Sequence, residues 1–209
     1  VGTQVSRAYA DTNTSLGVIL GTGTNICVRL PIEMITKDFS NKDKYKATHM
    51  IVNMESGDFN KSMPRTSYDE LLDSQSTNPN EHWEEKMVSG LYLGELGRLA
   101  LKDLAEKGIL FGGRVPWILG APGRFKTKIM GDIEALNPNS TKDLHKFNGR
   151  QLLSKRERKL KISLQEAEII HTVLSAISSR AARVAAAVII AALKVIDPEL
   201  NHNHTVAVD

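Results

Sequence analysis

A glycine-threonine segment near the start of the chain has the composition of a phosphate-binding turn. Gly21-Thr22-Gly23 lies between two short apolar runs, Val18–Leu20 and Ile26–Leu30. A glycine hairpin can point backbone N–H groups and a threonine hydroxyl at phosphate oxygens. A dinucleotide fingerprint is excluded because Ile26 takes the place of the third glycine and strand residues follow, and a P-loop is excluded because it needs a lysine. The residues alone leave two interpretations open, a phosphate-binding hairpin or an ordinary tight turn.

Two acidic positions could accept hydrogen bonds from the hydroxyls of a sugar. Glu55 follows an apolar run and precedes the glycine turn at Gly57, while Glu85 lies in the charged triplet Glu84-Glu85-Lys86. Carboxylates accept hydrogen bonds from hydroxyl donors. The alternative is that Glu55 is a solvated turn acid and that the triplet is the solvated face of a helix.

Composition narrows the classes of protein. The chain has 209 residues and a formal net charge of +3, which suits one domain-sized core and does not argue for nucleic acid. The basic cluster at 155–161 has no interleaved aromatic residues, so we expect no nucleic-acid binding. His202 and His204 lack other plausible ligands nearby in the sequence, so no metal site is predicted.

The sequence contains few features that indicate a cellular compartment or a membrane segment. The one cysteine, Cys27, cannot form an internal disulfide and predicts a buried inert thiol in a reducing, cytoplasmic compartment. The first residues lack a signal-peptide pattern. The apolar run Val184–Leu193 is about half of what spans a bilayer, so it predicts a buried helix and no membrane insertion.

The elements that would position these residues begin with strands. Val18–Leu20 and Ile26–Leu30 predict a hairpin around the glycine turn, and Thr48–Met54 predicts a third strand after the polar connection 38–46. Three strands in succession indicate an antiparallel meander. Thr205–Val208 predicts a further strand.

The middle of the chain predicts helices. Ser67–Glu70 has the spacing of a capping box, and apolar periodicity predicts one helix from His82 to Lys107. Its glycines at 90, 94 and 97 each cost a helix roughly 1 kcal/mol relative to alanine. Such a cost favours a close approach of the helix to backbone or ligand.

Two further helices are predicted. Phe125–Leu136 indicates a short one, and the capping box Ser163–Glu166 opens a long one that ends near Ile196. Small side chains in the long helix predict tight packing against a sheet; they are Ala181, Ala182, Ala185, Ala186 and Ala187.

The order of motifs along the whole chain resembles the hexokinase/glucokinase family. The motifs are Leu20-Gly-Thr-Gly-Thr-Asn25, Asn53-Met-Glu-Ser-Gly-Asp-Phe59, the Leu-Asp-Ser-Gln-Ser-Thr-Asn-Pro run ending at Pro79, Glu85-Lys-Met-Val-Ser-Gly-Leu-Tyr-Leu-Gly-Glu95, Phe125-Lys-Thr127 and Ser178-Ser-Arg-Ala-Ala-Arg183.

This resemblance implies a fold and a set of site residues. The fold is α/β, the ribonuclease-H-like, actin-like ATPase fold of the large hexokinase domain, with a mixed sheet flanked by helices. Residues 1–209 would form one such domain, truncated at both ends. The implied sugar-binding residues are Asn25, Glu55, His82 and Glu85, and the implied nucleotide-binding residues are Gly21, Thr22, Gly23, Gly90, Leu91, Thr127, Lys128 and Gly131.

The implied activity is transfer of the ATP γ-phosphate to the 6-hydroxyl of glucose or a related hexose, with Mg²⁺ across the phosphates. The family's catalytic Asp belongs to an Asn-Asp-Thr-Val-Gly-Thr motif, and this chain begins at Val1-Gly2-Thr3. The resemblance therefore places the base upstream of Val1 and implies that residues 1–209 alone are inactive.

Several positions depart from the family pattern. Ser56 stands where an aromatic residue is usual, His82 where a Gln is usual, and Gly131 where a Ser is usual. These departures keep a second hypothesis open, that of a non-catalytic, sugar-sensing or regulatory relative.

Overall fold

A four-stranded mixed sheet forms the centre of the structure. The computed structural model describes residues 1–37, 46–146, 152–153, 157 and 161–209. The strands are β1 (Thr14–Leu20), β2 (Thr24–Pro31), β3 (His49–Asn53) and β4 (Thr205–Val208), in the order β3-β2-β1-β4.

The register of the sheet confirms the predicted meander. β1 and β2 are antiparallel, with Leu16 opposite Val28 and Leu20 opposite Thr24, and β2 and β3 are also antiparallel. β4 pairs with β1 in parallel, so the predicted strand at 205–208 makes the sheet mixed. Most of the connection at 38–46 lies outside the described residues.

Seven helices accompany the strands within the described ranges. They are α1 (Gly2–Ala8), α2 (Ser67–Ser74), α3 (Trp83–Val88), α4 (Gly90–Glu106), α5 (Thr127–Glu134), α6 (Thr141–Lys146) and α7 (Leu164–Ile196). Single turns of 3₁₀-helix occur at Ile32–Met34, Ser56–Asp58, Phe111–Gly113 and Trp117–Leu119.

Helices cover both faces of the sheet. On one face lies α1, which the sequence analysis did not predict, and its Gln4 side chain donates to Ser15 O at 2.7 Å and accepts from the buried Cys27 thiol at 3.1 Å. On the other face, the second half of α7 packs on apolar strand residues such as Leu16 and Val28. This arrangement confirms the predicted sheet flanked by helices.

A second apolar core lies beside the sheet. The first half of α7 meets α4 and α5 there, around fully buried residues such as Leu101, Ile133 and Ile170. This core fixes the position of α4 relative to α5, which matters for the candidate site.

One prediction about the helices was wrong: the segment 82–107 is two helices. Ser89 has an extended backbone with φ −78° and ψ 152°, and it separates α3 from α4. The next N–H, that of Gly90, donates to Gly21 O in the β1–β2 hairpin at 2.8 Å. The apolar periodicity continues across the break because both helices face the same core, so the sequence pattern did not reveal it.

The capping box of α2 is shifted by one residue from its prediction. Thr66, rather than Ser67, is the N-cap, and Asp69 closes the box in place of Glu70. Asp69 also accepts two hydrogen bonds from Arg180 of α7, at 2.7 and 2.8 Å. This tertiary ion pair favours Asp69 over Glu70 as the acidic residue of the capping box. The predicted box at Ser163–Glu166 is confirmed.

The prediction of a buried helix at Val184–Leu193 is only partly right, because buried and exposed residues alternate along this part of α7. In α7, Ala181 and Ala185 are buried, but Ala182, Ala186 and Ala187 are exposed. Ala185 packs in a cluster with Met87 of α3, and Ala192, further along α7, packs against the sheet. By length and composition α7 could cross a membrane, which is weak evidence because core helices pass the same test.

Candidate functional site

The tip of the β1–β2 hairpin presents unused hydrogen-bond donors. Its turn is closed by Gly21 N–H donating to Gly23 O at 3.0 Å. Thr22 is exposed. In the described part of the chain, three groups make no hydrogen bond: the Thr22 N–H, the Thr22 hydroxyl and the Gly23 N–H. Adjacent free N–H groups form the kind of concavity that binds anions.

The start of α4 is anchored to this hairpin. Gly90 N–H donates to Gly21 O at 2.8 Å and Leu91 N–H donates to Thr22 O at 3.3 Å. A Cβ on Gly90 would lie 3.0 Å from that same Gly21 oxygen. The first turn of α4 therefore uses its free N–H groups to position the hairpin.

The predicted close approach at the α4 glycines is confirmed. A Cβ at Gly94 would lie 2.4 Å from Thr127 N and 2.6 Å from Phe125 O. One at Gly97 would lie 2.9 Å from a methyl carbon of Leu174. Only glycine lets α4 pack this closely against the backbone that leads into α5.

Thr127 connects the two helices through its hydroxyl. The Oγ1 atom donates to Gly90 O at 2.6 Å and accepts from Gly94 N–H at 2.8 Å. These two backbone groups are the i and i+4 partners of the first helical turn. The hydroxyl therefore bonds both ends of that turn, and it ties the start of α5 to the start of α4.

A cavity of about 600 Å³ brings together half of the predicted nucleotide-binding residues. Its lining includes Thr22, Gly90, Leu91 and Thr127, which we call the nucleotide side of the site. Lys128 and Gly131 lie further along α5, outside this lining, with Lys128 paired to Asp132 at 3.2 Å. Gly21 and Gly23 flank Thr22 in the hairpin.

Asn25 and Glu55 are connected through Asn53. The Asn25 amide nitrogen donates to Asn53 Oδ1 at 3.0 Å, and the Asn53 amide donates in turn to the Glu55 carboxylate. The Asn25 carbonyl oxygen accepts from Ser56 N–H at 3.2 Å. Asn53 begins the motif at 53–59 but is not among the predicted site residues, because its pairing with Asn25 depends on the register of β2 and β3.

Glu85 meets both the hairpin and the turn at Ser56–Asp58. Its Oε2 atom accepts from Thr24 N–H at 3.2 Å. The same oxygen would lie 2.8 Å from a Cβ on Gly23 and 3.5 Å from one on Gly57. The Thr24 N–H therefore orients the Glu85 carboxylate, which lies close to Gly23.

His82 lies beside the same turn, with its Nδ1 atom 3.7 Å from Asp58 Oδ1. Both His82 and Glu55 have left-handed backbone conformations, with φ of 53° and 52°. Such conformations are uncommon for residues with a Cβ, and strained backbone concentrates at functional sites. We call Asn25, Glu55, His82 and Glu85 the sugar side of the site.

A buried ion pair supports the helix that carries Glu85. Lys86 Nζ lies 2.6 Å from Asp73 Oδ1 and 2.6 Å from Asn78 O, and its side chain is 2% exposed. Asp73 also accepts from Asn80 N–H. The cation therefore ties α3 to α2 and to the loop that follows α2.

His202 and His204 have a shared partner that the sequence analysis missed. A ring nitrogen of each lies 3.1 Å from Oδ2 of Asp197, at the end of α7. Hydrogen bonds from the His202 backbone and from the His204 side chain lower the pKa of Asp197. Within the described ranges, no group of three or more His, Cys, Asp or Glu side chains is placed to hold a metal ion.

Comparison with known proteins identifies the family of this chain. The sequence profile described as hexokinase matches residues 15–209. Hexokinase-1 of Nicotiana tabacum is 35% identical over 198 residues, which are 93% of this chain and 38% of the tobacco protein. Hexokinase-like 1 protein of Arabidopsis thaliana is 38% identical over 144 residues, covering 69% of this chain and 29% of that protein. The chain belongs to the hexokinase family.

Solved structures agree with this assignment. The hexokinase from Schistosoma mansoni complexed with glucose superposes with a TM-score of 0.79 at 28% identity, covering 100% of this chain and 45% of that one. The actin-like ATPase fold implied by the sequence is therefore confirmed. The present chain spans less than half the length of each of these relatives. The findings favour a hexokinase domain over the non-catalytic alternative.

Proposed function

We propose that this chain supplies the hexose-binding and phosphate-binding surfaces of an ATP-dependent sugar kinase, as a single large domain over residues 1–209. The observation that carries the proposal is the hydrogen bond from Thr24 N–H to Glu85. Through this bond the Glu85 carboxylate contacts Thr24, the residue directly after Gly23, whose N–H is free at the tip of the hairpin. A hexose held by Glu85 would thus present a hydroxyl close to phosphates held by the hairpin.

Each side would contribute through its own donors or acceptors. The carboxylates of Glu55 and Glu85 and the amide of Asn25 accept from or donate to hexose hydroxyls. The free N–H groups of Thr22 and Gly23 and the Thr22 hydroxyl donate to phosphate oxygens of Mg-ATP, the second substrate. In this arrangement the chain's role is positioning and charge stabilisation, which dominate phosphoryl transfer.

The expected binding partners are glucose or a related hexose and ATP, with no nucleic acid and no membrane insertion. A cytoplasmic location fits the free, buried Cys27 thiol.

Calorimetric titration with glucose tests the sugar side. The 209-residue chain should bind glucose, and Glu55→Gln or Glu85→Gln should weaken binding by about 10- to 100-fold, because a hydrogen bond to a charged group contributes about 1.5–3 kcal/mol. Glu81→Gln removes an exposed carboxylate from the turn before α3 and should leave the affinity unchanged. Equal affinity in wild type and both site variants would contradict the assignment.

The nucleotide side is tested with ATP in the same way. Thr22→Ala should weaken ATP binding without changing glucose binding. A folded chain that binds neither ligand would remove the basis of the proposed function.

A further inference from the structure

Glu84 is a buried acidic residue beside the proposed sugar site, and one of its carboxylate oxygens has no hydrogen-bond partner. Its side chain lies in the first turn of α3, and the residue is 1% exposed. Its Oε2 atom is buried without a partner in the described part of the chain. The Glu84 N–H donates to Phe59 O at 3.1 Å, which fixes the start of α3 against the segment that follows Glu55. The backbone of Glu84 is therefore held in place beside the segment that carries Glu55.

An unpaired carboxylate in such a place takes up a proton. Burying an ionised carboxyl without a partner costs several kcal/mol, and the group shifts its pKa instead. Burial, and then the negative charge of Glu85, raises the pKa of Glu84 to about 7. The charge of Glu85 is also felt by Tyr92 on α4, where burial and then Glu85 raise the pKa of the phenol.

The surrounding charges do not offset this effect. Lys86 is bound to Asp73, and the two terminal nitrogens of Arg180 are bound to Asp69. Other charged or titratable groups on the elements and loops around α3 include Arg29, Asp58, Lys61, Arg65, Tyr68, Glu70, Glu81, His82, Glu95, Arg98, Lys102, Asp103, Glu106 and Arg183. Burial and Glu85 are the two causes that shift Glu84, and no cation lowers its pKa.

We propose that Glu84 is a positioning residue for the sugar site, holding a proton when sugar is bound and weakening sugar binding when that proton is lost. With Glu84 neutral, Glu85 carries the single negative charge of the first turn of α3 and accepts from sugar hydroxyls. With Glu84 ionised, two adjacent carboxylates repel each other where little water screens them. The inference rests on the proposed function, because it assigns the sugar contact to Glu85.

The sign of the pH response distinguishes this role from the titration of Glu85 alone. A carboxylate acceptor binds better as pH rises through its own pKa and then stays constant. Glu84 instead makes glucose affinity fall as pH rises through about 7. By linkage, bound glucose must raise the pKa of Glu84 by an equivalent amount.

Glucose titrations at about pH 6 and about pH 8 test the proposal with three chains. Wild type should lose about fivefold or more in affinity between these values, the lower end of usual coupling strengths. Glu84→Gln, which imitates the protonated acid, should change less than twofold, and Glu81→Gln should follow wild type. An identical pH profile in Glu84→Gln and wild type would overturn the proposal. Glu84→Met, of similar length and without charge, serves as a second variant if Gln prevents folding.

Thermal unfolding without sugar separates this proposal from the proposed function. The folded-state pKa of Glu84 lies above its ordinary value of 4.5, so the acid costs stability as pH rises from 4.5 through about 7. The melting temperature of wild type should therefore fall relative to Glu84→Gln over this range. Parallel curves would refute the buried acid itself. Diverging curves without glucose binding at either pH would refute the sugar role together with the proposed function, while the buried acid would stand.

Discussion

The sugar side and the nucleotide side of the candidate site meet the same hairpin but are built from different kinds of group. The sugar side consists of polar side chains, namely the Asn25 amide, the His82 imidazole and the Glu55 and Glu85 carboxylates, and Thr24 N–H donates to Glu85. On the nucleotide side the first turn of α4 lies against backbone, and a Cβ at Gly94, which lines the same cavity, would overlap the backbone at Thr127. Charge and hydrogen bonding therefore determine the geometry of the sugar side, whereas close packing of backbone determines the geometry of the nucleotide side.

The difference teaches which changes each side tolerates. Removing the Lys86 charge from α3, the helix that carries Glu85, leaves the buried Asp73 carboxylate unpaired, which is costly. Adding one carbon to the nucleotide side produces overlap with backbone, which cannot move like the end of a flexible side chain. Three substitutions test this contrast, in decreasing order of expected effect.

Lys86→Met should cost about 3–5 kcal/mol of the free energy of unfolding, because it leaves the buried Asp73 carboxylate without its cation. Denaturant unfolding monitored by circular dichroism measures it. Lys128→Met is the matched control, since it removes a lysine whose side chain is 81% exposed from its pair with Asp132, and it should cost less than about 1 kcal/mol. Similar losses of unfolding free energy in the two variants would show that burial of the Lys86–Asp73 pair does not affect its contribution to stability.

Gly94→Ala should cost about 3 kcal/mol, since a Cβ there would lie 2.4 Å from Thr127 N and α4 would have to move away from α5. Gly131→Ala is the control within α5, where the added carbon meets open space, and it should stabilise by up to about 1 kcal/mol. The same unfolding experiment compares them. A neutral Gly94→Ala would mean that the two helices are not held this close together.

Thr127→Val should have the smallest effect, about 1 kcal/mol, because it keeps the side-chain shape but removes the hydroxyl that bonds Gly90 O and Gly94 N–H. Thr12→Val, at an exposed threonine, should stay within about 0.5 kcal/mol of wild type. Calorimetric melting of both variants gives the comparison. A larger loss at Thr12 than at Thr127 would contradict the bridging role.

Local sequence was informative where the deciding interactions are themselves local. The β1–β2 hairpin follows from strand residues on either side of the glycine turn, and the start of α7 follows from the Ser163 capping box. The order of motifs along the chain was enough to indicate the hexokinase family and its fold. It was also enough to name Asn25, Glu55 and Glu85, although their roles in binding remain proposals.

Tertiary contacts decided the features that the sequence pattern missed. The break at Ser89 accompanies bonds between the start of α4 and the hairpin, more than sixty residues earlier. Asp69, which closes the capping box of α2, also accepts a hydrogen bond from Arg180, more than a hundred residues later in the chain. The exposed alanines of α7 also escaped prediction, because periodicity shows that a helix is apolar but not which neighbours cover each face.

The sequence by itself determined the hairpin, the strands, the start of α7 and the family, because turn chemistry and capping act over a few residues and the motifs follow one another in order along the chain. Only the tertiary structure decided that Glu85 touches Thr24, that Gly94 excludes a side chain and that Glu84 is buried without a partner. Each of these depends on distances between elements remote in sequence. A charged triplet reads the same whether its members face water or the core, and packing alone distinguishes them.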